Sequence, residues 1–218
     1  MGPASVTSPM FPLGSVLLPG ALLPLRIFEP RYRVLAQDVV GPDGEGSFGV
    51  CLIERGSEVG GGEVRTNVGV RAEVVRADEL PDGQWSIIAR GTERIRVDSW
   101  LSDDPYPRAM VSAWPDPPAS DAERRAVAGT RDLLQAIVDA VERLGQPVDA
   151  VRLELDHLDP DAEPGIALWQ VVSSSPLGPA DRQRLLECPD VADRAALASE
   201  LLDEQRQTLA ALADDADG

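Results

Sequence analysis

The hydrophobic period of this chain changes once, and the change falls on a run of prolines. Pro105, Pro107, Pro115, Pro117 and Pro118 crowd residues 104–118. Before them apolar residues recur at every second position, and after them at every third or fourth. Period two marks strands with one buried face; period 3.6 marks helices packed along one side. The pattern predicts an α+β protein, strands first and helices second, joined by a stiff linker. The boundaries read as 9–115 for the strand-rich domain and 119–213 for the helical one. A chain of 218 residues is long enough for each to have a core.

Phe48, Val50 and Leu52 alternate in one run, Val68, Val70, Ala72 and Val74 in the next, and Trp85, Ile87 and Ala89 in a third, with Ile95 and Val97 following. Pro81-Asp82-Gly83 should close a hairpin, and Gly91 marks a bulge. Arg108–Trp114, flanked by prolines, reads as an edge strand. One helix interrupts the strands: Glu29-Pro30 opens it, Tyr32, Leu35, Ala36 and Val39 follow at helical spacing, and Gly41-Pro42 ends it. In the second half, Ser120 or Asp121 caps a long helix with Val127, Leu134, Ile137, Val138, Val141 and Leu144 on its apolar face. Ile166, Trp169 and Val172 suggest a second helix. Pro179-Ala180-Asp181 begins a third, with Leu185 and Leu186 inward. Asp190 caps a last one carrying Leu197, Leu201, Leu202, Leu209 and Leu212, and the acidic terminus after it should fray.

The chain contains no lysine; all 20 basic residues are arginine. That removes a phosphate-binding P-loop, a Ser-Lys dyad and a Schiff-base lysine. Gly60–Gly62 lacks dinucleotide-binding spacing and reads as a flexible hairpin. His157 is the only imidazole, and no nucleophile-elbow pattern accompanies it; it reads as a surface or helix-end residue. Asp159, Asp161 and Glu163 invite a calcium-loop reading, but Pro164 and Gln170 stand where such a loop needs Gly and Glu. Cys51 and Cys188 are too few for a disulfide framework or a zinc site and read as buried small side chains. No catalytic centre, metal or cofactor is expected.

The 37 acidic residues leave a net charge of −17, which repels nucleic acid and anionic membranes. No segment approaches the roughly 20 apolar residues of a membrane span; Val16–Leu25 is broken by Pro19, Gly20 and Pro24. No Lys or Arg occurs in the first fifteen residues, so the charged start of a secretory signal is missing. A cytoplasmic protein whose partners are proteins or peptides is expected.

The most specific segment reads Met10-Phe11-Pro12-Leu13-Gly14-Ser15-Val16-Leu17-Leu18-Pro19-Gly20, then Leu23-Pro24-Leu25-Arg26-Ile27-Phe28-Glu29-Pro30-Arg31-Tyr32-Arg33. It resembles the start of the Lon-protease N-terminal, or substrate-binding, domain: a first strand ending in a Pro-Gly turn, a second ending in Leu-Arg-Ile-Phe, and a helix opening on Glu-Pro-Arg-Tyr. Asn67–Val75, Ala89–Val97 and Ser175–Glu187 are similar to later parts of that family, and the resemblance runs over about 9–212. It implies a PUA-like β pseudo-barrel with one inserted helix, followed by a C-terminal helical bundle. It looks most like the stand-alone bacterial members and the domain appended to RING-finger proteins, without the ATPase and peptidase that full Lon proteins carry. What it implies about function is recognition of unfolded polypeptide or a protein partner. Leu22, Leu23, Phe28 and Tyr32 are candidate apolar contacts, or else core; Glu29, Arg31 and Arg33 form a polar rim, or else a capping and ion-pair cluster. The alternative is an RNA-binding PUA-like domain using Arg90, Arg94 and Arg96 on one strand face; an enzyme of unknown type would need a pocket of converging polar groups. The terminal leucine stripe leaves a monomer or a weak homo-oligomer open.

Overall fold

A computed structural model describes residues 4–58, 62–157 and 162–216. The chain divides into two compact units, Met1–Pro115 and Asp116–Gly218. The first holds β1 (Val6–Leu13), β2 (Leu22–Ile27), α1 (Pro30–Val40), β3 (Ser47–Arg55), β4 (Val64–Glu79), β5 (Trp85–Trp100) and β6 (Arg108–Ala113). The second holds α2 (Asp121–Arg143), α3 (Asp149–Asp156), α4 (Pro164–Ser173), α5 (Pro179–Glu187) and α6 (Val191–Ala216).

Strand order in the six-stranded sheet is β2-β5-β4-β3-β1-β6, and β6 pairs again with β5. Five strands therefore hydrogen-bond in a ring, and β2 is attached to the first half of β5. The β1–β3 pair is parallel; such a pair needs a crossover, which β2 and α1 supply. Met10, Cys51, Ile95, Ala109 and Val111 form a buried cluster against which Val97 and Trp100 pack. Each large aliphatic side chain buried there contributes about 1.5–3 kcal/mol. Helix α1 buries Tyr32, Leu35, Ala36 and Val39, the face its spacing predicts. The Pro81-Asp82-Gly83 turn joins β4 to β5: Gly83 has φ +72°, the Gly83 N–H donates to the Leu80 carbonyl at 2.8 Å, and the Asp82 carboxylate accepts from the Gln84 N–H.

Several expectations are corrected here. The first strand ends at Leu13, well before Pro19-Gly20, and the intervening Leu17 and Leu18 are buried without strand pairing. The bulge expected at Gly91 is present, and the runs on either side of it form one strand of 16 residues, because a bulge interrupts pairing without ending a strand. Gly91 pairs with Ala72 and Arg94 with Val70, so three steps of β5 span two of β4. A Cβ on Gly91 would collide with the Leu18 carbonyl. The Gly20 N–H donates to the Gly91 carbonyl, and the Gly91 N–H to Ala21, at 2.8 and 2.9 Å. Strand β6 is not an edge: it pairs with β1 on one side and β5 on the other. Its prolines lie outside the strand, so every residue within it keeps its N–H donor.

In the second unit α2 opens on a capping box. The Ser120 hydroxyl accepts from the Glu123 N–H at 3.4 Å and the Glu123 carboxylate from the Ser120 N–H at 2.5 Å. Val127, Leu134, Ile137 and Val138 are buried as expected, with Thr130 among them; Val141 and Leu144 are half-buried. The Thr130 and Ser199 hydroxyls lie 2.9 Å apart, tying α2 to α6. Helix α3, too short to show a clear period, was not legible in sequence. Of Ile166, Trp169 and Val172, whose spacing suggested α4, Ile166 is 57% exposed while the other two are buried. The Asp190 carboxylate caps α6 by accepting from the Asp193 N–H at 2.9 Å. Leu201 and Leu202 are buried and Leu197 and Leu209 half-buried; the Leu212 side chain lies outside the described residues, as do the last two residues of the acidic tail. Arg194 is fully buried. Its guanidinium holds the Asp116 carboxylate through two bonds of 2.9 and 2.7 Å and lies 3.9 Å from the Trp169 ring centre.

Candidate functional site

Strand alternation decides which backbone groups of β2 are engaged. Ala21 accepts from Gly91, so Ala21 turns toward β5. The β2–β5 register runs unbroken from Leu22–Arg90 to Ile27–Trp85. Leu23, Leu25 and Ile27 then also turn toward β5, and Leu22, Pro24 and Arg26 turn the other way. Strand β2 stands at the end of the strand order, so that second edge has no strand against it among the described residues. Pro24 suits the position, since it has no N–H to offer a partner strand.

The Met10 N–H donates to the Pro107 carbonyl at 2.8 Å, away from β3, and Pro12 shares that direction by alternation. Two residues on, the Gly14 N–H donates to the Glu58 carboxylate at 2.5 Å. The edges of β1 and β2 border a groove of about 330 Å³ whose lining includes Phe11, Pro12, Leu13, Leu25, Ile27 and Glu58.

Of the residues singled out from sequence, Leu23, Phe28, Glu29 and Tyr32 line this groove. Phe28 is 55% exposed, a large apolar side chain held in water at the rim. Tyr32 is buried and stacks on Phe11 with ring centres 4.3 Å apart, which makes it floor. Its hydroxyl has no hydrogen-bond partner among the described residues. Burial pushes its pKa well above the usual tyrosine value; Arg31 opposes this while Glu63 and Glu29 add to it. Leu22, Arg31 and Arg33 do not line the groove. Leu22 is 57% exposed at the far end of β2. Arg31 acts behind the wall: it donates to Glu29 and to the Glu58 carbonyl, both at 3.2 Å, and lies 4.4 Å over the Tyr32 ring. The Arg33 guanidinium lies against Gly83 in the β4–β5 turn.

Sequence reading missed Pro12, Pro24, Leu25, Arg26 and Glu58 as lining residues. Proline within a strand segment is a signal that could have found the first two, because such strands are usually edges.

Other expected features are placed as follows. The bulge after Gly91 puts Arg90 out of phase with Arg94 and Arg96. Arg94 is buried, and both later guanidiniums stack on Trp114, at 4.2 and 3.6 Å. The three arginines therefore do not form one open patch. Glu163 caps α4, its carboxylate accepting from Gly165 and Ile166 N–H groups at 2.9 and 3.3 Å; Asp159, Asp161, Gly60 and Gly61 lie outside the described residues. His157 is exposed at the end of α3. Cys51 and Cys188 are buried free thiols. Burial pushes Cys51 up to about 12, against the nearby Arg65, which keeps it a protonated, unreactive thiol. The groove lining contains no imidazole, thiol or amine. No helix among the described residues is long and apolar enough to cross a membrane.

Comparison with known proteins agrees with this architecture. The family model of the ATP-dependent protease La (LON) substrate-binding domain matches residues 7–204. Lon protease 2 of Sorangium cellulosum is 29% identical over 214 residues, covering 95% of this chain and 26% of that protein. Lon protease of Parabacteroides distasonis is 29% identical over 194 residues, covering 87% of this chain and 23% of that protein. The chain thus spans about a quarter of the length of these relatives. Among solved structures, a Lon N-terminal domain protein from Xanthomonas campestris is similar at TM-score 0.57 and 28% identity, covering 87% of this chain and 94% of that one. The N-terminal domain of the Mycobacterium avium complex Lon protease shares the fold, at TM-score 0.64 and 18% identity, covering 93% of this chain and 98% of that one. With a family model matched over nearly its whole length and that fold in two solved relatives, the chain belongs to the Lon substrate-binding domain family.

Proposed function

We propose that this chain is a non-catalytic binding module that holds a segment of another polypeptide in the β1–β2–α1 groove. The observation that carries this reading is the groove itself: an apolar floor of Phe11, Leu23, Leu25 and Tyr32 under an exposed Phe28, with carboxylates at one end. Family membership supports a substrate-binding role, and the absence of lysine supports the lack of ATPase and peptidase chemistry. On the same reading the two units are domains of 9–115 and 119–213, the first a PUA-like pseudo-barrel closed by the β5–β6 pairing and the second a helical bundle. Leu22, Arg31 and Arg33 act outside the groove, Arg31 by bracing Glu29. RNA binding gains nothing from the arginines of β5, two of which are spent on Trp114.

The test is binding of a fluorescein-labelled, permanently unfolded polypeptide to the chain, followed by anisotropy. Leu23→Asp and Phe28→Ser should each weaken binding about tenfold or more, as expected for losing a buried apolar contact. No measurable binding, or binding indifferent to both substitutions, would overturn the reading.

A further inference from the structure

We infer that the groove captures its segment by strand addition to the free edge of β2, and that it favours segments carrying arginine or lysine beside the apolar residues. The inference rests on the function proposed above and names how and what that site selects.

The edge itself makes the first half of the case. Leu22 and Arg26 each turn a backbone N–H and C=O outward, and Pro24 between them turns a C=O with no N–H. No strand or backbone hydrogen bond occupies these groups among the described residues. An extended chain laid along the edge would complete a ladder, as in other strand-addition complexes. Odd and even residues alike, from Leu23 through the end of β2 to Phe28, line the groove. That is what a cleft alongside a strand edge looks like, since a cleft on one face would collect alternate residues only.

The occupant is not a second copy of this chain. Antiparallel self-pairing centred on β2 would set Pro24 against Pro24, two carbonyls facing each other with no donor between them, and an unmet acceptor is costly. A net charge of −17 adds repulsion between copies. A foreign segment that brings an N–H group to Pro24 satisfies it.

Charge makes the second half. The Glu29 and Glu58 carboxylates lie at the helix end of the groove. Of the two arginines near them, Arg26 is held by Gln84 at 3.1 Å and Arg31 by Glu29. The Gly14 N–H takes one Glu58 oxygen. The other Glu58 oxygen has no hydrogen-bond partner among the described residues, and a guanidinium or ammonium on the incoming segment supplies one.

The probe is a fluorescein-labelled peptide alternating valine and threonine with arginine at both ends, titrated against the full chain at low salt. Two N-methylated versions carry the methyl groups on the valine nitrogens or on the threonine nitrogens, which lie on opposite edges of an extended strand. Strand addition predicts that one set weakens binding about tenfold or more and the other less than about twofold. Equal effects, or none, overturn strand addition while leaving the polypeptide-binding reading intact. A version with glutamate in place of arginine should bind about tenfold less tightly, and E58Q, which keeps an acceptor for Gly14, should shrink that difference. Equal binding of the two peptides overturns the preference for basic segments. A concentration-dependent dimer dispersed by the peptide would make the second copy the occupant and overturn the assignment. Failure of every peptide to bind removes the proposed function as well.

Discussion

The two units each contain a cavity, and the cavities are of opposite kinds. The groove of the first unit is bounded by strand edges with unspent backbone groups, by two carboxylates and by an exposed Phe28. The cavity of the second unit, about 220 Å³, is bounded by Leu134, Ile137, Val141, Val148, Val151 and Pro176 among others. Leu134 and Ile137 there are core residues of α2. Helices satisfy their own backbone internally, so a cavity between helices exposes little but hydrocarbon. A sheet satisfies its backbone sideways, and its last strand always has one row left over. The difference lies in unspent hydrogen bonding: the sheet unit keeps some in reserve along β2, and the helical unit spends its own on holding itself together. The Arg194–Asp116 pair, the Thr130–Ser199 contact and the capping box are all internal.

The sharpest way to break this comparison is to attack the helical unit at Arg194. Arg194→Ala removes a fully buried guanidinium that Asp116 and Trp169 both engage, and should destabilise that unit by about 3–5 kcal/mol. Urea unfolding followed by helical circular dichroism measures it; a change below about 1 kcal/mol would show the pair to be dispensable. In the sheet unit, Gly91→Ala drives a methyl group into the Leu18 carbonyl and should cost about 1–3 kcal/mol, read in the same way. A smaller effect is expected at the start of α2: Ser120→Ala loses one half of the capping box and about 1 kcal/mol. Phe28→Ser should shift stability by less than about 0.5 kcal/mol, as for other exposed positions, while impairing segment binding. A large stability loss there would make Phe28 structural and weaken the contrast between the units.

The mildest test is a base titration. The chain has two tyrosines, both in the sheet unit. Burial, with the hydrogen bond that its hydroxyl donates to the Asp38 carboxylate at 2.8 Å, raises Tyr106 to about 12; burial raises Tyr32 as well. Both pKa values are raised in the fold, so their contribution to stability is complete below about pH 10, the unfolded value. It declines as pH climbs from there toward the folded values. Ultraviolet absorbance of the folded chain should show no phenolate step near pH 10. A step there would place one ring in water.

Much of this was legible in the sequence for a simple reason: local periodicity and turn chemistry are local. The apolar face of α1, the Gly83 turn, the Gly91 bulge, the Ser120 cap and the inward Leu185 and Leu186 all follow from residues within a few positions of one another. Helix α3 escaped because eight residues are too few to establish a period. Ile166 misled because apolarity predicts burial only one way.

The candidate site divides along the same line. Leu23, Phe28, Glu29 and Tyr32 were found because they are large apolar or charged residues clustered around the start of α1. Phe11, Pro12 and Glu58 line the same groove from other elements, and no spacing rule links them to β2. By itself the sequence determined the division into strands and helices, the lack of lysine chemistry and the family. Tertiary structure alone decided that β6 closes onto β5, that β1 runs parallel to β3, and that the ends of β1 and β2 are left facing a groove. Those outcomes depend on which distant strands pair and in what register, and that choice is made by packing across the core after local preferences have been met.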